Sequence, residues 1–365
     1  MAQQLTTAAG PRLVALAEVQ RFVRECVAKA GAPDAHARAM ASVLAEADRR
    51  GHFSHGLNRL DMYVNDLQSG LCDGAVTPRV LRETPATAWV DGCNGLGPVV
   101  GTFCMELAIR KARETGVGWV AAKGSNHFGI AAWYSMMALK ENMIGMSFTN
   151  TSPFLSPTRS KQAALGTNPL SLAAPAEGGD SYVLDMATTA VAVGKIEVQR
   201  RRGERIPAGW AQDASGAATT DPDEAMNVGC LMPLGGAEST SGYKGYGLAL
   251  MVELLCGVLA GATYGPDVRK WMGDEDRPAD LGQCFVAVDP QCFAPGFEGR
   301  LQDLLSKLRA MEPADPAAPV LVAGDPERAH EAKVEREGGV SYHPSQIIAC
   351  EELAKSLGVQ PMDGR

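Results

Sequence analysis

Apolar side chains recur at three- and four-residue intervals from Leu13 to Arg50. Leu16, Val19, Phe22, Val23 and Val27 predict one amphipathic helix, and Met40, Val43, Leu44 and Ala47 predict a second. Gly31-Ala32-Pro33 separates them, and Asp34 stands where it would cap the second. A third, short helix is expected over Leu57 to Asp66, ending near Gly70. The period then changes. Ala86 to Asp91 reads as a strand, Pro98 opens a helix over Val99 to Glu114 that Gly116 closes, and Val117 to Ala122 is an apolar run of strand length. A helix over Ile130 to Glu141 and a strand over Ile144 to Thr149 follow. Ser171 to Ala174 and Tyr182 to Met186 are further strands, and Thr188 to Arg200 reads as a helix. Gly245 to Gly261 is a continuous apolar helix, expected to be buried on most sides. Gln283 to Val288 predicts a strand and Phe297 to Met311 a helix. The Pro/Ala-rich stretch Glu312 to Pro319 reads as a linker before a strand at Val320 to Val322.

The 365 residues carry a net charge of −8 and 40 glycines. No basic run is long enough to track a phosphate backbone, which argues against nucleic acid as a partner. Arg200-Arg201-Arg202 is interrupted by Gly203 and reads as a solvated loop. No apolar stretch reaches the length of a membrane span. Met1 to Gly10 lacks the charged start and apolar block of a secretion signal. The nine cysteines include no CxxC pair, as expected for reduced thiols in a cytoplasmic enzyme. No His/Cys cluster has zinc-ligand spacing, so no metal is expected.

Two of the six histidines sit in polar turn motifs, Ser54-His55-Gly56-Leu57-Asn58-Arg59 and Ser125-Asn126-His127-Phe128-Gly129. An imidazole exchanges protons near neutral pH, and the guanidinium of Arg59 can fork onto a carboxylate. The competing reading makes Ser54 a helix cap with His55 filling a cap position. Gly95-Leu96-Gly97-Pro98-Val99-Val100-Gly101 resembles a pyrophosphate-cradling loop, but Asp91-Gly92-Cys93-Asn94 separates it from its strand, and the next strand ends without an acid. Pro98 and Gly101 are equally explained as a helix start and a helix-packing contact. At Asp185-Met186-Ala187-Thr188-Thr189 a strand gives way to a predicted helix. The threonines would cap that helix, or its free N–H groups would hold an anion. Lys244, between glycines at a helix start, suits a phosphate or carboxylate, or is a surface turn.

Taken in order, Ser54-His55-Gly56 with Arg59, Ser125-Asn126-His127-Phe128-Gly129, Gly166-Thr167-Asn168-Pro169, Asp185-Met186-Ala187-Thr188, Pro207-Ala208-Gly209-Trp210, Pro233-Leu234-Gly235-Gly236 and Lys244-Gly245-Tyr246-Gly247 resemble the malate/L-lactate dehydrogenase-like family of NAD(P)-dependent oxidoreductases. The resemblance runs from about Leu13 to Gln346. It implies a mixed α/β fold with a non-Rossmann NAD(P)-binding domain on a largely antiparallel sheet, plus a helical domain from the chain termini. The expected division is residues 1–85 (helical), 86–245 (cofactor-binding), 246–312 (buried helix and further α/β segment) and 313–365 (completing the first domain and a cofactor loop). His127 and His55 match the family's active-site histidines, with His127 favoured as acid/base, and Arg59 matches a substrate-carboxylate position. Thr151, Asp185, Met186, Ala187 and Lys244 match positions that bind NAD or NADP, and Gly324 and Asp325 match a C-terminal cofactor loop. The resemblance further implies a small carboxylic-acid substrate and a homodimer with its active site near the interface. A cyclic imino acid reductase and a non-catalytic nucleotide-binding homologue are the alternatives. Pro157-Thr158-Arg159 and Glu238 to Gly242 depart from the commoner family pattern.

Overall fold

The computed structural model describes residues 10–364 apart from 272, 274 and 275. The reading of Met1 to Gly10 therefore lies almost wholly outside the described residues. In chain order the elements are β1 (Arg12–Val14), α1 (Leu16–Lys29), α2 (Asp34–Arg49), α3 (Leu60–Gln68), β2 (Arg79–Glu83), β3 (Thr87–Asp91), α4 (Gly97–Thr115), β4 (Val117–Ser125), α5 (Ala132–Leu139) and β5 (Ile144–Thr149). There follow β6 (Leu170–Pro175), β7 (Ser181–Met186), α6 (Val193–Arg202), β8 (Ala211–Gln212), β9 (Ala218–Thr219), α7 (Pro222–Val228) and α8 (Gly242–Glu253). Then come β10 (Leu281–Val288), α9 (Phe297–Arg309), α10 (Asp325–Glu337), β11 (Val340–Tyr342) and α11 (Pro344–Leu357). These form two compact units, one from residues up to 75 and from 325 onward, the other from residues 76–324. The segment 246–312 belongs with 76–245, and the units change at 75/76 and 324/325.

The first unit joins the two ends of the chain. β1 pairs antiparallel with β11, Arg12 opposite Tyr342. The apolar stripes of α1 and α2 face each other, and Phe22, Val23, Met40 and Leu44 are fully buried. Pro33, not Asp34, occupies the cap of α2, and the Asp34 carboxylate instead pairs with Arg24 and Arg38. The expected third helix is shortened at its start, because single turns of 3₁₀ helix at Phe53–His55 and Leu57–Arg59 precede α3.

The second unit is built on a seven-stranded sheet of order β2-β3-β4-β10-β5-β6-β7. Only β3 and β4 run parallel, joined through α4; every other neighbouring pair is antiparallel. β10 lies at the centre, and its alternate side chains serve two cores. Phe285 and Ala287 pack with Val100, Cys104, Met105 and Ala108 of α4, whereas Cys284 and Val286 pack with Val252 and Cys256. That two-sided burial explains why β10 reads as an unbroken apolar run. Pro98 in the first turn of α4 and Gly116 at φ +82 after its last turn set its ends. Gly101 is a packing contact, since a Cβ there would lie 2.4 Å from the Tyr134 ring.

Several expectations fail in this unit. The helix expected over 188–200 spans Val193–Arg202 instead; it starts late and runs through Arg202, so the arginine run is not a loop. Its cap is Ala192, and the Thr188 and Thr189 hydroxyls donate instead to Thr167, Asn168 and Val191 carbonyls. Residues 320–322 form no strand, though the neighbouring Ala323 carbonyl accepts from the Val183 N–H at the edge of β7. The apolar helix at 245–261 splits into α8 and a π-helical stretch Leu254–Val258. It is not buried on most sides, for Leu250, Met251, Leu254, Val258 and Leu259 are 41–56% exposed.

Candidate active site

His127 follows β4 in a loop fixed on three sides. Ser125 Oγ donates to Gln283 Oε1 on β10 at 2.9 Å, and Gln283 Nε2 returns a bond to the Asn126 carbonyl at 3.0 Å. Asn126 Nδ2 donates to the carbonyls of Gly95 and Asn94. The third support is the start of α4, where Gly97 comes so close that a Cβ would lie 2.2 Å from the His127 carbonyl oxygen. The glycine series at 95–101 thus makes room for the histidine loop. The imidazole stacks on Trp271, ring centroids 4.3 Å apart, and its Nδ1 accepts the Gly129 N–H at 3.3 Å. A ring whose Nδ1 accepts carries its proton, when neutral, on Nε2.

Asp185, at the end of β7, accepts the Ala132 N–H at 2.8 Å. It therefore caps α5, the helix that leaves the His127 loop, and not the helix that follows Asp185 in sequence. The backbone N–H groups of Thr188 and Ala190, candidates for an anion, are taken by the carbonyls of Thr167 and Met232. Met186 pairs with Leu170 across β6 and β7, and Ala187 leads from it to Thr188. Thr151 is held by a mutual pair of bonds: its N–H donates to Asn168 Oδ1 at 3.2 Å, and its Oγ1 accepts the Thr167 N–H at 3.0 Å. Gly245 lets the first turn of α8 approach the Leu234 backbone, and Leu234 N–H in turn donates to the Thr188 carbonyl. Lys244 on that turn is exposed, its Nζ 6.0 Å from the Tyr243 ring. Gly324, at φ +98, ends this unit one residue beyond the Ala323 carbonyl that meets β7. Thus 151, 167–168, 185–188, 234 and 244 form one hydrogen-bonded or closely packed series, with the His127 loop attached through Asp185.

His55, Arg59 and Asp325 belong to the other unit. His55 Nδ1 and Ser54 Oγ lie 2.8 Å apart, and Arg59 Nε donates to the Ser54 carbonyl at 2.8 Å, so Arg59 closes the turn that carries the imidazole. Ser54 is not a helix cap. Burial, followed by the positive charges of Arg59 and His52, pushes the His55 pKa down to about 4, so the ring is neutral at neutral pH. Asp325 opens α10 and pairs with Arg328.

Asp48 lies beneath this turn, 1% exposed. Its Oδ2 accepts the Leu57 N–H at 2.9 Å and the Tyr342 hydroxyl at 2.7 Å, while Oδ1 is buried without a partner. Gly56 leaves room for that carboxyl, since a Cβ would meet Oδ1. Burial pushes the Asp48 pKa from 3.8 up to about 7, against the opposing pull of those two donors. The folded chain therefore holds this proton to a higher pH than the unfolded chain. The linked stability is complete below about pH 4 and lost as pH rises to about 7, at no more than about 1.4 kcal/mol per pH unit. In Asp48→Asn the amide oxygen keeps both donors and the titration disappears. The variant's melting temperature, relative to the native chain's, is expected to rise by several degrees between about pH 5 and pH 8. Parallel melting profiles would refute a protonated Asp48.

The sequence reading overlooked Trp271 and Asp48. The signal for Asp48 is an acid among the inward-facing positions of α2; a lone Trp in a polar loop offers none.

The family model described as malate/L-lactate dehydrogenase matches residues 14–349. Malate dehydrogenase of Pyrococcus abyssi is 43% identical over 295 residues, 80% of each chain. L-sulfolactate dehydrogenase of Methanocaldococcus jannaschii is 37% identical over 348 residues, 94% of this chain and 97% of its own. The solved structure of malate dehydrogenase from Pyrococcus horikoshii OT3 matches with a TM-score of 0.88 at 34% identity, covering 99% of this chain and all of that one. The family match takes in both histidine motifs, all of the second unit and most of the first, and the chain belongs to the malate/L-lactate dehydrogenase family.

Proposed function

We propose that the chain is an NAD(P)-dependent dehydrogenase of a small 2-hydroxy acid, working in the cytoplasm and reversible as a 2-oxo-acid reductase. The observation that carries the reading is family membership along nearly the whole chain, with malate and sulfolactate dehydrogenases as relatives. The dinucleotide-binding unit is the sheet of 76–324, where the antiparallel order takes the place of a Rossmann fold. Two observations fit a nicotinamide dinucleotide there. Asn126 Oδ1, next to His127, is buried without a partner among the described residues and suits a carboxamide N–H. Lys244 is an exposed cation at a helix start and suits a phosphate. Thr151, Asp185, Met186, Ala187, Lys244, Gly324 and Asp325 would hold the cofactor, which when bound supplies the acceptor or donor of hydride.

His127 exchanges the proton with the C2 oxygen through Nε2. In reduction the imidazolium gives its Nε2 proton to the forming alkoxide and is left neutral with its proton on Nδ1, and oxidation runs the same step backward from that tautomer. Both working forms therefore carry Nδ1–H in place of the long bond from Gly129, which at 3.3 Å is little to lose. His55 is the poorer acid, because a ring with a pKa of about 4 is seldom charged at neutral pH. Arg59 holds the substrate carboxylate and so fixes the plane of C2. The test is reduced-nicotinamide absorbance with malate, sulfolactate, lactate and their oxo acids, each with both NAD and NADP. Turnover of a cyclic imino acid alone would overturn the reading, as would failure of all substrates beside tight dinucleotide binding.

A homodimer uses the outer face of α8 and its π-helical continuation. Leu250, Met251, Leu254, Val258 and Leu259 fall on neighbouring turns there and are all exposed. Leu254→Glu with Val258→Glu is expected to convert a dimer to a monomer in light scattering; an unchanged dimer would exclude this face.

A further inference from the structure

Glu253 is the one charged residue between Lys244 and Arg269 that is buried beneath the apolar helix, 3% exposed at the point where α8 turns π-helical. Among the described residues no cation reaches it. Its carboxylate is satisfied by neutral N–H groups alone. Oε1 accepts from Asn150 Nδ2 and from the Gly265 N–H, both at 2.9 Å, and Oε2 accepts from Asn168 Nδ2 at 2.7 Å. Both asparagines are fully buried. Asn168 uses its other end on the cofactor strip: its Oδ1 accepts the Thr151 N–H at 3.2 Å.

We infer that Glu253 is a positioning residue for dinucleotide binding: it fixes the amide orientation of Asn168, and Asn168 fixes Thr151. The inference rests on Thr151 being a dinucleotide contact. A carboxylate can face donors with both oxygens, whereas a glutamine cannot. In Glu253→Gln the new NH₂ meets either Asn168 Nδ2 or the Asn150 and Gly265 donors. Asn168 can relieve the first clash by turning its amide over, but its oxygen then leaves the Thr151 N–H and its NH₂ leaves the Ala249 carbonyl, which it now meets at 3.0 Å. The first clash thus reaches Thr151 through Asn168, and the second falls on Asn150, the residue before Thr151 in the chain. Asn168→Asp supplies part of the complement: one carboxylate oxygen accepts from the NH₂ introduced by Glu253→Gln and the other still accepts from Thr151, but the Ala249 carbonyl loses its donor. The double variant therefore restores the link to Thr151 but not the bond to Ala249, whereas Asn168→Asp alone also sets two buried carboxylates against each other.

The test is direct titration of NADH and NADPH by fluorescence, with thermal unfolding alongside, for the full-length protein. Glu253→Gln is expected to raise the dinucleotide Kd about 5–10-fold, Asn168→Asp to raise it at least as much, and the double variant to bind more tightly than either single variant without regaining the native Kd. A lower melting temperature with native Kd in Glu253→Gln would overturn the inference. So would a double variant that binds no better than the singles. If Glu253→Gln does not fold, the double variant decides: it must fold and bind, or the pairing is wrong. Native protein that binds neither dinucleotide refutes the proposed function itself. Native binding that Thr151→Ala leaves unchanged refutes only the route through Thr151.

Discussion

Replacing His127 with alanine is expected to cut turnover by about 10²–10⁴-fold while leaving dinucleotide affinity within about threefold of the native value. The loss belongs to the proton, because no other titratable side chain of the 125–129 motif can serve the C2 oxygen. The truncation also removes the ring stacked on Trp271 and the acceptor of the Gly129 N–H. His127→Gln separates these effects. It retains an N–H donor and most of the bulk but cannot carry a proton from one bond to another. Its turnover should fall nearly as far as that of alanine, with a smaller change in melting temperature. Steady-state rates in both directions, beside a dinucleotide titration, make the comparison. Native turnover in both His127→Ala and His55→Ala would end the acid/base assignment.

Arg59→Lys is expected to lower kcat/KM for the acid substrate by about 10²-fold, chiefly through KM, with dinucleotide binding untouched. Lysine keeps the charge and loses the planar fork. It also loses the Nε–H that now holds the Ser54 carbonyl, so the His55 turn loosens with it. The guanidinium is already oriented by Ser54 and by Met62 Sδ at 3.7 Å, so a carboxylate arriving there does not have to order a mobile side chain. An effect on the substrate's KM with unchanged dinucleotide Kd is what a carboxylate clamp demands. An equal loss toward both ligands would point to collapse of the turn instead.

Much of this architecture was legible in side-chain spacing. α1, α2 and β5 stand out because each buries one continuous stripe or strand, and Pro98 and Gly116 mark α4 by backbone geometry alone. The apolar stretch at 245–261 was misread, since a run of Leu, Met and Val looks the same whether it meets a core or lies bare on the surface. α10 escaped notice because it is strongly charged and buries only Val334. The ordered motifs singled out His55, Arg59, His127 and Asp185 as candidates, yet what surrounds them was beyond local reading. The bond from Ala132 to Asp185 spans 53 residues and that from Tyr342 to Asp48 spans 294, and no spacing rule reaches so far. Glu253 had a signal, an acid in an apolar helix, that invited a question about what satisfies it.

The pairing of β1 with β11 and the bond from Tyr342 to Asp48 also set a schedule for synthesis. A ribosome delivers the chain from its first residue, and α1, α2 and the His55 turn emerge early. The sheet of residues 76–324 is contiguous and can close during translation. The His55 turn cannot be finished then, because the tyrosine that braces Asp48 and the strand that pairs with residues 12–14 follow the whole sheet unit in the chain. A nascent chain that has not yet passed residue 342 thus holds a complete sheet unit while the Asp48 carboxyl under its His55 turn still lacks the Tyr342 hydroxyl.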